Sequence, residues 1–97
     1  MLTVEAGPEG AVVISGRLDA AQAAAAQAAL DGTSGRVVLD CSGLDYISSA
    51  GLGVLLKTQK RLMAGGGQLR LTRVNRHIRD IFQYSGFDKI LEIDAAE

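Results

Sequence analysis

The sequence predicts an α/β fold in a single domain, with a mixed sheet of four to five strands and helices packed mainly on one face. Two observations lead to this prediction. Short apolar segments typical of strands alternate along the chain with segments whose apolar residues recur every three to four positions. The chain has only 97 residues, which is enough for one hydrophobic core. We therefore expect one domain that spans residues 1–97.

A hairpin is predicted at the start of the chain. Residues 2–6 alternate apolar and polar side chains, and residues 11–15 form a second apolar run. Between them, Gly7-Pro-Glu-Gly10 suits a turn with proline at its second position. We therefore expect the two strands to pair with each other.

The next segment, residues 20–30, is rich in alanine and is predicted to form a helix. Asp19 can cap the first N–H groups of this helix, and Gln22 can bond back to Asp19 as in a capping box. The helix is expected to begin at about Ala20 and to lie close to the sheet, because alanine has little bulk.

A central strand and the helix after it organise the rest of the chain. Residues 36–41 are a nearly continuous apolar run, typical of a buried strand, and residues 42–45 are predicted to be a loop. From Leu52 onward, apolar residues recur with the period of a helix. Ser48 and Ser49 stand at its start, where one hydroxyl can cap the helix and the other is left exposed.

The second helix is expected to run to about Ala64, where three glycines end it. Residues 68–72 alternate strictly and predict a strand with one solvated face. Asn75 can cap a third helix, which Gly86 ends. Residues 89–93 are the last predicted strand. The predicted order of elements is ββαβαβαβ.

Composition and charge exclude several classes of function. Ten basic and eleven acidic residues give a formal net charge of −1, so the chain has no overall field that attracts nucleic acid or an anionic membrane. The only cysteine, Cys41, has no partner for an internal disulfide and is expected to be buried in a protein of the cytoplasm. No apolar stretch approaches the ~18 residues needed to cross a bilayer, and no leader pattern opens the chain. We therefore expect neither membrane insertion nor export.

The residues alone suggest several kinds of site, most of which lack a required group. The basic stretch 70–79 could contact phosphates, but no exposed aromatic residues interleave with it to stack on bases. His77 alone cannot hold a metal, because a stable site needs three or four ligands, and no cofactor is expected. Ser49 follows a strand, as a hydrolase nucleophile does, but Ile47 stands where that motif needs glycine. On these grounds alone, the simplest interpretation is that both serines only cap the helix.

Four segments of the chain resemble the STAS domain of bacterial anti-sigma factor antagonists: residues 16–19, 40–55, 65–69 and 84–87. The resemblance extends over nearly the whole chain and implies a STAS-like fold. Members of this family bind an anti-sigma factor that has serine-kinase activity and so displace the sigma factor. Phosphorylation of a serine at the start of the second helix ends this binding, and a separate serine phosphatase restores it. The resemblance therefore implies a binding protein that is a kinase substrate and not an enzyme.

The resemblance also assigns roles to individual residues. Ser49 matches the phosphorylated serine, and Ser48, where many family members have aspartate, is the alternative acceptor. Asp19 matches a position that lies beside the phosphorylation site and helps to meet the kinase. The residues implied to bind the partner are Asp19, Ser48, Ser49, Ala50, Gly51, Gly53, Val54 and Lys57.

Two other functions remain open at this point. A STAS domain can be a structural or regulatory subunit, for example of a lipid-transport complex, in which the serine is never modified. A STAS domain could also sense nucleotides, and the basic stretch 70–79 is the segment that would contact them.

Overall fold

The computed structural model describes residues 2–95, and within them five strands and three helices follow one another in the predicted order. The expected domain, residues 1–97, also includes Met1, Ala96 and Glu97, which lie outside the described residues. The elements are β1 (Leu2–Ala6), β2 (Val12–Leu18), α1 (Ala23–Asp31), β3 (Arg36–Ile47), α2 (Ser49–Ala64), β4 (Gln68–Val74), α3 (Arg76–Ser85) and β5 (Glu92–Ala95), with short 3-10 turns at Pro8–Gly10 and Phe87–Lys89.

The sheet is mixed, and its spatial order, β1-β2-β3-β4-β5, is the order of the chain. β1 and β2 pair antiparallel as the predicted hairpin, while the three later pairs are parallel. Each parallel pair is joined through one helix. Because such crossovers are right-handed and all advance in one direction, the three helices lie on the same face of the sheet. The predicted fold class is confirmed.

The core lies between the helices and one face of the sheet. Side chains from strands and helices are fully buried there, including Ile14, Leu39, Leu71, Leu55 and Phe82. Alternate residues on the strands point to the opposite face, where Val38 is 38% exposed and Arg70 is exposed. That face of the sheet is therefore open to solvent.

The first helix begins three residues later than predicted, at Ala23 instead of Ala20. The backbone N–H of Gln22 donates to the Asp19 carbonyl oxygen at 3.1 Å and to Asp19 Oδ1 at 3.2 Å. The predicted contact of the Asp19 side chain is therefore present, but it closes a turn over residues 20–22 and does not start the helix.

The central strand is longer than predicted, because β3 continues to Ile47 through the residues expected to form a loop. Gly43 stands opposite Ser15 of β2, and a Cβ on Gly43 would lie 2.5 Å from Ser15 Oγ. Gly43, within the predicted loop, thus lets the two strands approach each other closely. The last strand begins at Glu92, not at residue 89, because Phe87–Lys89 form a 3-10 turn.

Candidate functional site

The second helix begins directly where the central strand ends. Ser48 has an extended backbone, with φ −94° and ψ 175°, and its Oγ accepts a hydrogen bond from the Gly51 N–H at 3.2 Å. The N–H of Ser48 donates to the Leu18 carbonyl oxygen at the end of β2, at 3.0 Å. Ser48 therefore caps α2 and ties its start to the neighbouring strand.

Ser49 is the first residue of α2, and its side chain is exposed. The N–H groups of the first helical turn and the positive end of the helix dipole lie at this position. A hydroxyl here is accessible to another protein, and a phosphate on it would be compatible with the helix. The two serines thus differ: the Ser48 hydroxyl is engaged in the cap, and Ser49 is exposed.

Asp19 lies at the same edge of the sheet as the start of α2. It follows Leu18, which is paired with Ile47, so Asp19 and Ser48 are the first residues beyond two neighbouring parallel strands. The Asp19 carboxylate accepts the Gln22 N–H, and its side chain remains 32% exposed. Asp19 and the helix start therefore belong to one patch of surface.

Two further residues of this edge, Arg17 and Tyr46, were not singled out from the sequence. They stand opposite each other in the pairing of β2 with β3. The guanidinium carbon of Arg17 lies 4.3 Å from the centroid of the Tyr46 ring, and its Nε lies 3.8 Å from Asp19 Oδ2. The sequence did contain a signal for the contact of Arg17 with Asp19. The two residues are two positions apart, and residues i and i+2 of a strand point to the same face.

A groove of about 400 Å³ separates α1 from α2 near this edge. Four of the residues implied to bind the partner line it: Ala50, Gly53, Val54 and Lys57. The other wall is formed by α1, through Ala23, Ala24 and Gln27, which sequence reasoning did not identify. Lys57 is exposed, whereas Val54 is only 6% exposed, so Val54 contributes to the buried side of the groove.

Gly51 is not part of the exposed surface, although it was expected to bind the partner. It is buried, and a Cβ at this position would lie 2.5 Å from the Leu18 carbonyl oxygen and 2.8 Å from Ile47 Cγ1. The absence of a side chain lets the first turn of α2 approach the ends of β2 and β3. The role of Gly51 is therefore in packing.

The basic stretch 70–79 is divided between β4 and α3. Arg70 lies on β4, where its Nε is 3.7 Å from Glu92 Oε1 and its guanidinium also pairs with Asp94. Arg76 and His77 are exposed on the first turn of α3. The charge of Arg70 is thus balanced by carboxylates, while Arg73 also lies on β4 and Arg76 and Arg79 lie on α3.

The thiol of Cys41 is fully buried, as predicted. Burial and, to a smaller extent, the nearby Asp40 carboxylate together raise its pKa to about 12. The pKa of Asp40 itself is lowered, mainly because its carboxylate accepts the Ser42 backbone N–H at 2.9 Å. The thiol therefore stays protonated at neutral pH and does not act as a nucleophile.

Residues 2–95 contain no group of three or more His, Cys, Asp or Glu side chains that could hold a metal ion. In the same part of the chain, no helix has the length and apolar character needed to cross a membrane.

Comparison with known proteins identifies the family. A family model described as "Mlab, STAS domain" matches residues 1–92. The chain belongs to the STAS domain family. Over 58 residues, which are 60% of the chain, it is 48% identical to BtrV of Bordetella bronchiseptica, a protein named as an anti-sigma factor antagonist. The match spans about half the length of BtrV (50%). The resemblance seen in the sequence is thus confirmed.

Solved structures share the fold at low sequence identity. The unphosphorylated form of the anti-sigma factor antagonist SpoIIAA aligns with a TM-score of 0.69 and 21% identity, over 100% of this chain and 90% of SpoIIAA. The phosphorylated form of SpoIIAA from Bacillus gives 0.68 and 22%, over 98% and 92%. A sulfate transporter family protein from Wolinella succinogenes gives 0.72 and 21%, over 86% and 74%. At these identities the likeness concerns the fold.

Proposed function

We propose that this protein is an anti-sigma factor antagonist of a partner-switching pathway. It binds an anti-sigma factor with serine-kinase activity while Ser49 is unmodified, and phosphorylation of Ser49 ends the binding. The observation that carries the proposal is the difference between the adjacent serines. Ser48 Oγ is occupied by the Gly51 N–H, whereas Ser49 is exposed at the first position of α2. A kinase requires an accessible hydroxyl, which favours Ser49 as the acceptor.

The proposed partner surface surrounds Ser49. It includes the partly exposed Asp19 carboxylate at the end of β2 and, along α2, the exposed residues Ala50 and Lys57. Gly53 lines the groove between α1 and α2. In this proposal the chain is a binding partner and a substrate, not an enzyme, and a separate serine phosphatase removes the phosphate. The name of BtrV supports this choice among the functions of STAS domains.

Phosphate on Ser49 should act on the interface more than on the fold. Within the domain, about −1.5 to −2 charges would be added at a helix N-terminus, where each charge is favourable by ~0.3–1 kcal/mol. At the interface, a dianion placed against a surface that fits a hydroxyl has to be desolvated without a matching cation, at a cost on the order of 2–5 kcal/mol. A loss of ~1.4 kcal/mol already weakens binding about tenfold.

A second candidate is a STAS domain that serves as a structural or regulatory subunit, for example of a lipid-transport complex, with an unmodified Ser49. The matching family model carries the description "Mlab, STAS domain", and a sulfate transporter family protein shares the fold. Neither of these descriptions mentions a sigma factor, and this supports keeping the second candidate. In this case binding would not depend on the phosphorylation of Ser49.

The modification state of the protein separates these candidates. The chain is purified from its own cells and analysed by intact-mass and peptide mass spectrometry, and it is also incubated with ATP and each serine kinase of the anti-sigma type from the same genome. The proposal predicts a single phosphate on Ser49, absent in Ser49→Ala and retained in Ser48→Ala. If the protein carries no phosphate in cells and accepts none from any of these kinases, the second candidate replaces the first.

A further inference from the structure

We infer that Arg17, stacked on the ring of Tyr46, is a binding determinant for an aspartate or glutamate carboxylate on the protein partner. The inference rests on the proposed function, because it assigns a further contact to the same partner surface. It concerns residues to which neither the family resemblance nor the proposed switch gives a role.

The geometry fixes the guanidinium group of Arg17 on two sides. Arg17 of β2 is paired in register with Tyr46 of β3, and its guanidinium carbon lies 4.3 Å from the ring centroid. On another side, its Nε lies 3.8 Å from Asp19 Oδ2. The Arg17 side chain nevertheless remains 56% exposed. The group is thus held in place and still open to solvent.

This arrangement suits recognition of a carboxylate. A guanidinium group presents five N–H donors in a planar fork that matches the two oxygens of a carboxylate. The separation of 3.8 Å between Arg17 and Asp19 is longer than a hydrogen bond, so this contact orients the fork without consuming its donors. Stacking on Tyr46 restricts the side chain before the partner arrives, which reduces the entropy lost on binding. Arginine and tyrosine are also enriched among the residues that dominate interface energies.

Arg17 lies at the end of β2, beside the strand that leads into α2. Arg17 precedes Leu18, whose carbonyl oxygen accepts the N–H of Ser48 at 3.0 Å, and Ser49 follows. A partner carboxylate bound by Arg17 would therefore lie at the same edge of the sheet as a phosphate on Ser49. Because Leu18 and Ile47, which follow Arg17 and Tyr46, are buried in the core, Arg17 and Tyr46 point to the open face of the sheet, and this contact would extend the partner surface from the start of α2 around the strand ends.

The test is calorimetric titration of the unphosphorylated protein with the kinase that phosphorylates Ser49. Arg17→Ala should weaken binding about tenfold or more, the range of interface hot spots. Arg17→Lys keeps the charge but loses the fork and the stacking, so it should recover only part of the affinity. Tyr46→Ala should also weaken binding, and Tyr46→Phe, which retains the ring, should restore most of the loss.

The matched control is Arg36→Ala. Arg36 is an exposed arginine at the first residue of β3, the end of the strand opposite to Ile47 and Ser48. Its removal changes the net charge by the same amount as Arg17→Ala and should leave the affinity within about twofold, because a charge outside the contact contributes little. Thermal melts of all variants identify any loss that comes from unfolding.

Two further measurements separate a direct contact from an indirect one. In an Asp19→Asn background, Arg17→Ala should still weaken binding. If Arg17→Ala leaves the affinity unchanged in this background, Arg17 only positions Asp19, and the inference is overturned. Arg17→Glu should be rescued by an acid-to-lysine change on the partner. If Arg17→Ala binds like wild type while Ser49 is still phosphorylated, the inference fails and the proposed function stands. If the wild-type chain neither binds nor is modified by any kinase of this type, both fail.

Discussion

Helices α1 and α2 both follow strands that end at the same edge of the sheet, yet they begin differently. α2 starts directly after Ser48, whose side chain caps it. α1 starts only after a turn, and its N-cap residue Gln22 has a helical backbone, with φ −100° and ψ −8°, and no side-chain cap among the described residues. The start of α2 is therefore fixed by hydrogen bonds, which holds Ser49 in one place.

The two helices also differ in how deeply they are anchored. The buried residues of α2 extend from Gly51 near its start to Leu62 near its end, while those described for α1 are Ala26 and Leu30. Burial of apolar surface is the main stabilising contribution in a small domain, so α2 is the more firmly held wall of the groove. The helix that carries the proposed acceptor, Ser49, is therefore the better anchored side of the proposed partner surface.

The largest expected effect on stability comes from Gly51→Ala, which would break the close approach of α2 to the sheet. Its Cβ would lie 2.5 Å from a backbone carbonyl oxygen, that of Leu18, which cannot move aside as a flexible side chain could. We expect a loss of about 1–3 kcal/mol in the free energy of unfolding, measured by urea denaturation. The control is Gly53→Ala, because, apart from the adjacent residues and the backbone of the same helical turns, no heavy atom of the described residues lies within 4 Å of that Cβ. This variant should gain ~0.5–1 kcal/mol from helix propensity. Equal stabilities for the two variants would contradict the packing role of Gly51.

An intermediate effect is expected for Ser48→Ala, which removes the hydroxyl that accepts the Gly51 N–H. The loss of an N-cap costs about 0.5–2 kcal/mol. Ser49→Ala removes an exposed hydroxyl from the next position and should change stability by less than about 0.5 kcal/mol. Paired denaturation curves measure both, and a larger loss for Ser49→Ala would show that the cap has been assigned to the wrong serine.

The smallest effect is expected at the start of α1. Gln22→Ser introduces a residue that is favourable at an N-cap, but the helical backbone of Gln22 does not present a side chain to the first turn as an extended N-cap does. The free energy of unfolding should stay within about 0.5 kcal/mol of wild type. A gain near 1 kcal/mol would mean that α1 begins like α2, and the contrast between the two helices would disappear.

The same contrast explains which parts of the structure could be predicted. The bounds of α2 follow from local signals, namely a serine cap, helical periodicity and terminal glycines, and the structure has them at Ser49–Ala64. The predicted start of α1 was wrong. The Asp19 side chain accepts the Gln22 N–H in a turn, as it would in a capped helix. The hydrogen bond itself was predicted correctly, but its presence does not distinguish a turn from the first turn of a helix.

The candidate site could be predicted only in part, because several of its features depend on pairing between distant segments. Ser49 and Asp19 were found through motifs, and the parallel pairing of β2 with β3 accounts for their common edge. The burial of Gly51 depends on its distance to Leu18, and the contact of Arg17 with Tyr46 depends on the register of the two strands. Neither of these contacts can be predicted from the hydrophobic periodicity of a single segment.

Calorimetric titration of wild type, Ser49→Ala and Ser49→Asp with the cognate kinase tests the central claim most directly. Wild type and Ser49→Ala should bind with similar affinity, and Ser49→Ala should accept no phosphate. Ser49→Asp should bind at least about tenfold more weakly while its melting temperature stays within about 4 °C of wild type. Equal affinity for wild type and Ser49→Asp, or continued phosphorylation of Ser49→Ala at Ser48, would contradict the account.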